Sequence, residues 1–198
     1  LRGGTVNIPG DISSQYISAI LLAAPYASSD IRIIVSDDLA SKNYVDMTID
    51  VMDRFGVAVE RDSYKEFTVR SGQEYKGCEY MVEPDASGAS YFFAAAAITG
   101  GKVRVEGLGD RSLQGDTKFV DILGKMGCRT AKSQDWLEVE GGELRGIDVD
   151  MNETPDVVQT LAPVAAFAKG KTRIRNVKNL RYKETRSEER RVGKECRS

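Results

Sequence analysis

The sequence predicts a chain of mixed class, α/β or α+β, built from repeated units of the order strand, helix, strand, helix, strand, strand (βαβαββ). Three observations predict it. An aspartate after a strand-like run recurs at Asp11, Asp85 and Asp156, about 70 residues apart each time, and each leads into an apolar helical stretch. Gly56 and Gly127 end two helical patterns with about the same spacing, where a helix closes on a left-handed residue. The first helix of each unit is apolar nearly all round, Ala94-Ala-Ala-Ala97 having no polar face, which marks a helix buried against several neighbours.

In the first unit, Val6-Asn-Ile-Pro-Gly-Asp11 opens as a strand and turns into a helix over 14–24. Ile31–Val35 follows as a β-branched strand, 45–55 as a helix ended by Gly56, and 66–70 as a final strand. In the second unit, the strand-like Tyr80-Met-Val-Glu-Pro-Asp85 leads into a helix over 89–98. Gly100-Gly101, a strand over 102–105, a helix over 119–126 ended by Gly127, and a strand at Trp136–Glu140 complete it. The third unit runs from Ile147 to Asp156, through a helix over 157–168, to a strand over 172–176. Pro163 lies inside that helix, where it removes a hydrogen bond and predicts a kink.

With 198 residues, 41% of them hydrophobic and 29% charged, the chain has the composition of a soluble globular protein with a real core. Its most apolar stretch, 91–98, is too short to span a bilayer, so no membrane role is expected. A net charge of -2 argues against general nucleic-acid binding, which needs a basic face. Cys78, Cys128 and Cys196 lack paired or metal-type spacing, and there is no histidine, so neither a disulfide framework nor a metal site is expected. A reducing, cytoplasmic setting fits. Acid–base chemistry without histidine must rest on carboxylates, lysine or tyrosine.

Leu1 is not an initiator methionine, and the opening Leu-Arg-Gly-Gly reads as the middle of a longer protein. The last stretch, 186–198, is dominated by charge, with only Val192 and Cys196 apolar, and has no stripe to dock on a core. It resembles a translated sequencing-adapter read-through and is expected to be non-native.

Four polar groupings could carry chemistry, and each also has a plain structural explanation. Ser13-Ser14-Gln15 stands at a helix start, where unpaired amides and the helix dipole favour a phosphate or carboxylate; a serine there can equally just cap the helix. Ser41-Lys42-Asn43-Tyr44 offers hydroxyls and an ammonium at another helix start, with capping again the alternative. Asp156 could accept a proton from a substrate hydroxyl or simply complement the helix dipole. Asn179-Leu-Arg-Tyr-Lys183-Glu184-Thr185 gathers an amide, an ammonium and a carboxylate, which an exposed charged turn would also explain.

Several motifs together carry a resemblance: Gly-Asp-Ile-Ser13-Ser14-Gln15-Tyr, Ala40-Ser41-Lys42-Asn43-Tyr44-Val-Asp-Met-Thr48, Glu83-Pro-Asp85-Ala-Ser-Gly-Ala-Ser-Tyr91-Phe, Gln114-Gly-Asp116, Leu144-Arg-Gly-Ile-Asp-Val-Asp-Met-Asn152, Pro155-Asp156, and Asn179 to Thr185. In this order they resemble the enolpyruvyl transferases, and more narrowly the 5-enolpyruvylshikimate-3-phosphate synthase family. The resemblance covers the middle of a family member. It implies two lobes of βαβαββ units around buried parallel helices, with residues 1–82 ending one lobe and 83–185 belonging to the other. It implies shikimate 3-phosphate and phosphoenolpyruvate as substrates, no cofactor, and a monomeric full-length enzyme. Ser13, Ser14, Gln15, Ser41 and Tyr44 would hold shikimate 3-phosphate from one lobe, and Asp156, Asn179 and Lys183 from the other. Asp156 would take the proton of the attacking hydroxyl, Lys183 would bond that hydroxyl, and Glu184 would protonate the methylene carbon of phosphoenolpyruvate.

The family continues Lys-Glu-Thr-Asp-Arg, whereas Thr185 here is followed by Arg186-Ser187, so the arginine that grips phosphoenolpyruvate has no match. The family's other phosphate clamps also lack counterparts, so these 198 residues are expected to be inactive alone. Two alternatives stay open. One is the sister transferase acting on UDP-N-acetylglucosamine, which lacks the serine-serine-glutamine and lysine-glutamate-threonine motifs. The other is a non-catalytic repeat module, for which Asp156 and Glu184 would point to different faces.

Overall fold

A computed structural model of the chain describes residues 1–11, 13–39, 41–177 and 180. In the first half, β1 (Gly4–Ile8) and β2 (Ile31–Val35) run parallel, joined by α1 (Ser14–Ala23) and a 3-10 turn at Ala24–Tyr26. After β2, α2 (Lys42–Arg54) returns along the sheet. Strands β3 (Glu60–Asp62) and β4 (Glu66–Val69) then complete a sheet of order β1-β2-β4-β3, with β4 antiparallel to β2. The alternation in β2 turns Ile31, Ile33 and Val35 inward, where they meet Ile17 and Leu21 of α1 and Val45 and Met52 of α2 in one apolar cluster. Each fully buried side chain of this kind contributes about 1.5–3 kcal/mol over an exposed one.

The second half opens with α3 (Ala86–Thr99) and an antiparallel sheet of order β5-β7-β6, formed by β5 (Lys102–Glu106), β6 (Arg129–Lys132) and β7 (Trp136–Glu140). A 3-10 turn, Gly115–Lys118, leads into α4 (Phe119–Lys125). Then β8 (Asp148–Asp150), a 3-10 turn at Pro155–Val157, α5 (Val158–Phe167) and β9 (Arg173–Arg175) form a strand-helix-strand unit whose strands are parallel. A second cluster fills this half, centred on Phe93, Phe119, Leu123, Leu137, Met151 and Leu161.

Both predicted helix closures are present. Gly56 (φ 86) and Gly127 (φ 111) are left-handed. After α2, the Val57 amide bonds the Met52 carbonyl at 2.9 Å and the Gly56 amide bonds Asp53 at 2.9 Å. After α4, Cys128 bonds Leu123 and Gly127 bonds Gly124, each at 3.1 Å. Both pairs are Schellman closures, which satisfy the last helical carbonyls and favour glycine at the left-handed position.

Two expectations are modified. The strand expected near Tyr80–Glu83 is absent: Tyr80 lies against Phe55 and Arg54, while Glu83 and Pro84 bond Gln114, so the segment is drawn between the two halves, leaving Met81 and Val82 exposed. Helix α3 buries one side, including Ala89, Phe93 and Ala97, while Tyr91 and Phe92 face outward at 64% and 63% exposure. Helix α5 contains Pro163 and is preceded by a tighter 3-10 turn. No helix among the described residues is long and apolar enough to cross a membrane.

Candidate active site

Because β1 and β2 are parallel and each is followed by a returning helix, α1 and α2 both start at the same edge of the sheet. A polar link fixes how the two helices sit side by side. Thr48 Oγ1 donates to the Tyr44 carbonyl at 2.8 Å, so the Ser18 hydroxyl donates to Thr48 Oγ1, also at 2.8 Å. One turn nearer the start, Ser14 on α1 and Tyr44 on α2 therefore stand at one level.

Ser13 caps α1, its hydroxyl accepting the Gln15 amide at 3.2 Å, so the plain capping explanation is realised there. Ser14 is buried at the first helical position and Gln15 is exposed. Ser41 behaves differently: it is left-handed (φ 55, ψ 47), and its side chain makes no capping bond to α2. That conformation costs a residue with Cβ about 1–2 kcal/mol, and such strain concentrates at ligand-binding positions.

Tyr44 reaches out of the first half. Its hydroxyl donates to Asp156 Oδ2 at 2.5 Å, joining α2 to the turn that precedes α5. Burial, followed by the bond to Asp156 and the charge of Asp116, pushes the phenol far above its ordinary range, so Tyr44 stays a protonated donor.

A third element approaches the same place. A Cβ on Gly115 would fall 2.3 Å from Asn43 Nδ2, so only glycine permits this contact between the 3-10 turn and the start of α2. The next residue, Asp116, is 5% exposed and accepts the Ser87 hydroxyl at 2.5 Å. Asp85 caps α3 through the Ser87 amide at 2.9 Å, while Gln114 Oε1 accepts the Ala86 amide at 2.8 Å and Nε2 donates to Glu83 and the Pro84 carbonyl. Beside this junction lies a cavity of about 350 Å³ lined by Asn43, Asp46, Gln114 and Lys118 among others. Its lysines are engaged, Lys118 with Glu153 and Lys132 with Asp121.

Of the residues singled out from sequence, Ser13, Ser14, Gln15, Ser41 and Tyr44 thus share two neighbouring helix starts, and Tyr44 meets Asp156. Asn179, Lys183 and Glu184 lie outside the described residues. Ser87 and Asp116 were given no role in the sequence reading. An aspartate after Gly115 and a serine beside Asp85 each read as ordinary helix-start residues, and only the packing pairs them.

The model of the family EPSP synthase (3-phosphoshikimate 1-carboxyvinyltransferase) matches residues 1–192. The chain belongs to this family. It is 53% identical over 186 residues to the 3-phosphoshikimate 1-carboxyvinyltransferase of Marinomonas sp. (strain MWYL1), covering 93% of this chain and 44% of that protein. The enzyme of the same name from Serratia proteamaculans (strain 568) is 51% identical over 185 residues, covering 93% and 43%. Among solved structures, EPSP synthase from Acinetobacter baumannii superimposes with a TM-score of 0.75 at 26% identity, over 94% of this chain and 43% of that one. The enolpyruvyl transferase NikO from Streptomyces tendae shares the fold, with a TM-score of 0.67 at 17% identity over 88% of this chain and 44% of that one. The chain spans less than half the length of each of these proteins.

Proposed function

We propose that this chain carries the centre of an enzyme that transfers the enolpyruvyl group of phosphoenolpyruvate to the 5-hydroxyl of shikimate 3-phosphate, releasing phosphate. Family membership supports the reaction class, and the observation that carries the reading for this chain is the Tyr44–Asp156 bond, which brings polar groups of both halves to one place. On this reading residues 1–82 belong to one lobe and 83–185 to the other. A cytoplasmic location and a monomeric intact enzyme belong to the same proposal.

The Ser13 and Ser14 hydroxyls and the α1 amides take the ring phosphate, with Ser41 beside them. Gln15 and Tyr44 lie along the ring, and Asp156, Asn179 and Lys183 close over it. Proton transfer to the methylene carbon, assigned to Glu184, makes the adjacent carbon electrophilic. The 5-hydroxyl adds there as Asp156 takes its proton and Lys183 steadies its oxygen. Loss of a proton from the new methyl group and departure of phosphate then restore the double bond. Closure of two lobes keeps water from the charged intermediate.

Because the chain spans under half of its relatives, ligand binding rather than turnover is the direct test. A thermal-shift titration should show stabilisation by shikimate 3-phosphate and none by UDP-N-acetylglucosamine. Stabilisation by the nucleotide sugar alone would transfer the reading to the sister enzyme.

A further inference from the structure

We propose that Asp116, tethered by Ser87, is a positioning residue for Tyr44: it keeps the phenol a hydrogen-bond donor to Asp156 across the junction of the two halves. The inference rests on the functional reading above, since it explains how that site keeps its donor and acceptor in order.

The geometry begins with an aspartate in an unusual place. Asp116 is 5% exposed, far more buried than an aspartate is unless it is engaged. It accepts the Ser87 hydroxyl at 2.5 Å, and Ser87 is itself held by its amide to Asp85 at 2.9 Å, so the carboxylate is tied to the rigid start of α3. Behind it, Ser90 shares a hydrogen bond with Thr160 at 3.0 Å, both residues buried, which fastens α3 to α5, the helix that follows Asp156. In front, Gly115 packs on Asn43 and so sets Asp116 beside the start of α2. Two carboxylates, Asp156 and Asp116, act on the Tyr44 phenol from separate turns and push it up, while the Ser87 hydroxyl acts on it in the opposite, lowering sense.

A phenol flanked by two carboxylates cannot ionise cheaply, so the proton stays on Tyr44 and Asp156 keeps the accepting role. The burial of Asp116 shields its effect on the phenol from screening by water.

The test uses the 198-residue chain with 13C-labelled tyrosine, the Tyr44 signal being assigned by its loss in Tyr44→Phe. Tyr44 should remain protonated after the exposed tyrosines have titrated. Asp116→Asn, which keeps the shape and removes the charge, should lower the Tyr44 midpoint by about one pH unit or more. Ser87→Ala is the smaller change and decides the matter if Asp116→Asn does not fold: it should speed exchange of the Tyr44 hydroxyl proton with water by about tenfold. A Tyr44 that titrates with the exposed tyrosines, or is unmoved by both substitutions, overturns the proposal. These readouts need no ligand, so failure of shikimate 3-phosphate to bind would sink the functional reading while leaving them intact.

Discussion

Tyr44 and Asp156 lie 112 positions apart in the chain and are joined by a 2.5 Å hydrogen bond from the phenol to a carboxylate oxygen. Each belongs to a helix start packed against its own apolar cluster, so the bond connects two separately built halves. A site at this junction needs both halves in place, and its affinity should report how they meet.

Removing the phenolic hydroxyl tests that first. Tyr44→Phe deletes a donor to a charged acceptor, an interaction of about 1.5–3 kcal/mol, so affinity for shikimate 3-phosphate should fall roughly tenfold or more. Calorimetric titration measures it, and an unchanged dissociation constant would place the ligand elsewhere.

Gly115→Ala tests the close approach of the halves. The new Cβ would fall 2.3 Å from Asn43 Nδ2 and 3.0 Å from the Glu153 carbonyl, so the turn must shift. Destabilisation of about 1–3 kcal/mol is expected in urea unfolding. Adding Asn43→Ala should recover part of it, and strict additivity of the two changes would show that the side chains do not meet.

The two Schellman glycines should differ in a defined order. Alanine at either position is strained by the left-handed backbone, by about 1–2 kcal/mol. At Gly127 the Cβ would also meet the Glu143 carbonyl at 2.3 Å, whereas at Gly56 it meets only the Lys76 side chain at 3.5 Å. Gly127→Ala should therefore lower the urea midpoint more than Gly56→Ala, and the reverse order would contradict the packing around β7 and the 141–143 turn.

Stability should decline at both pH extremes for separate reasons. Asp30 is held below its ordinary value of 3.8 by the Ser71 amide and by Arg70, and Asp150 by the Asn152 amide and Asn176. A depressed carboxylate stabilises the fold above its unfolded value, and that contribution is lost as pH falls through the lowered one. Tyr44 is shifted the opposite way, chiefly by burial. Its contribution is complete below the ordinary value of 10.0 and declines as pH climbs from there. Thermal melts between pH 9 and 12 should thus fall less steeply for Tyr44→Phe, since only wild-type has this proton to lose; parallel curves would refute the assignment.

Much of the fold was legible because the signals are local. The β-branched run Ile31–Val35 admits little but a strand, and a glycine after an amphipathic run closes a helix whatever surrounds it. Tyr80–Glu83 misled for the converse reason: its strand-like composition is overridden by contacts that Phe55, Arg54 and Gln114 make from distant parts of the chain. At the site, helix starts are visible in sequence, so Ser13, Tyr44 and Asp156 could be named. The left-handed turn at Ser41 and the Ser87–Asp116 pair could not: the first departs from the usual extended capping conformation, and the second joins residues 29 positions apart that only packing brings together.

The central claim is that polar groups at successive helix starts converge on one phosphorylated ring. Titrating 15N-labelled chain with shikimate 3-phosphate addresses it residue by residue. The amides of Ser14, Gln15, Tyr44, Asp156 and Lys183 should all shift, following one dissociation constant. Shifts confined to a single helix start, or separate constants for the two halves, would contradict it.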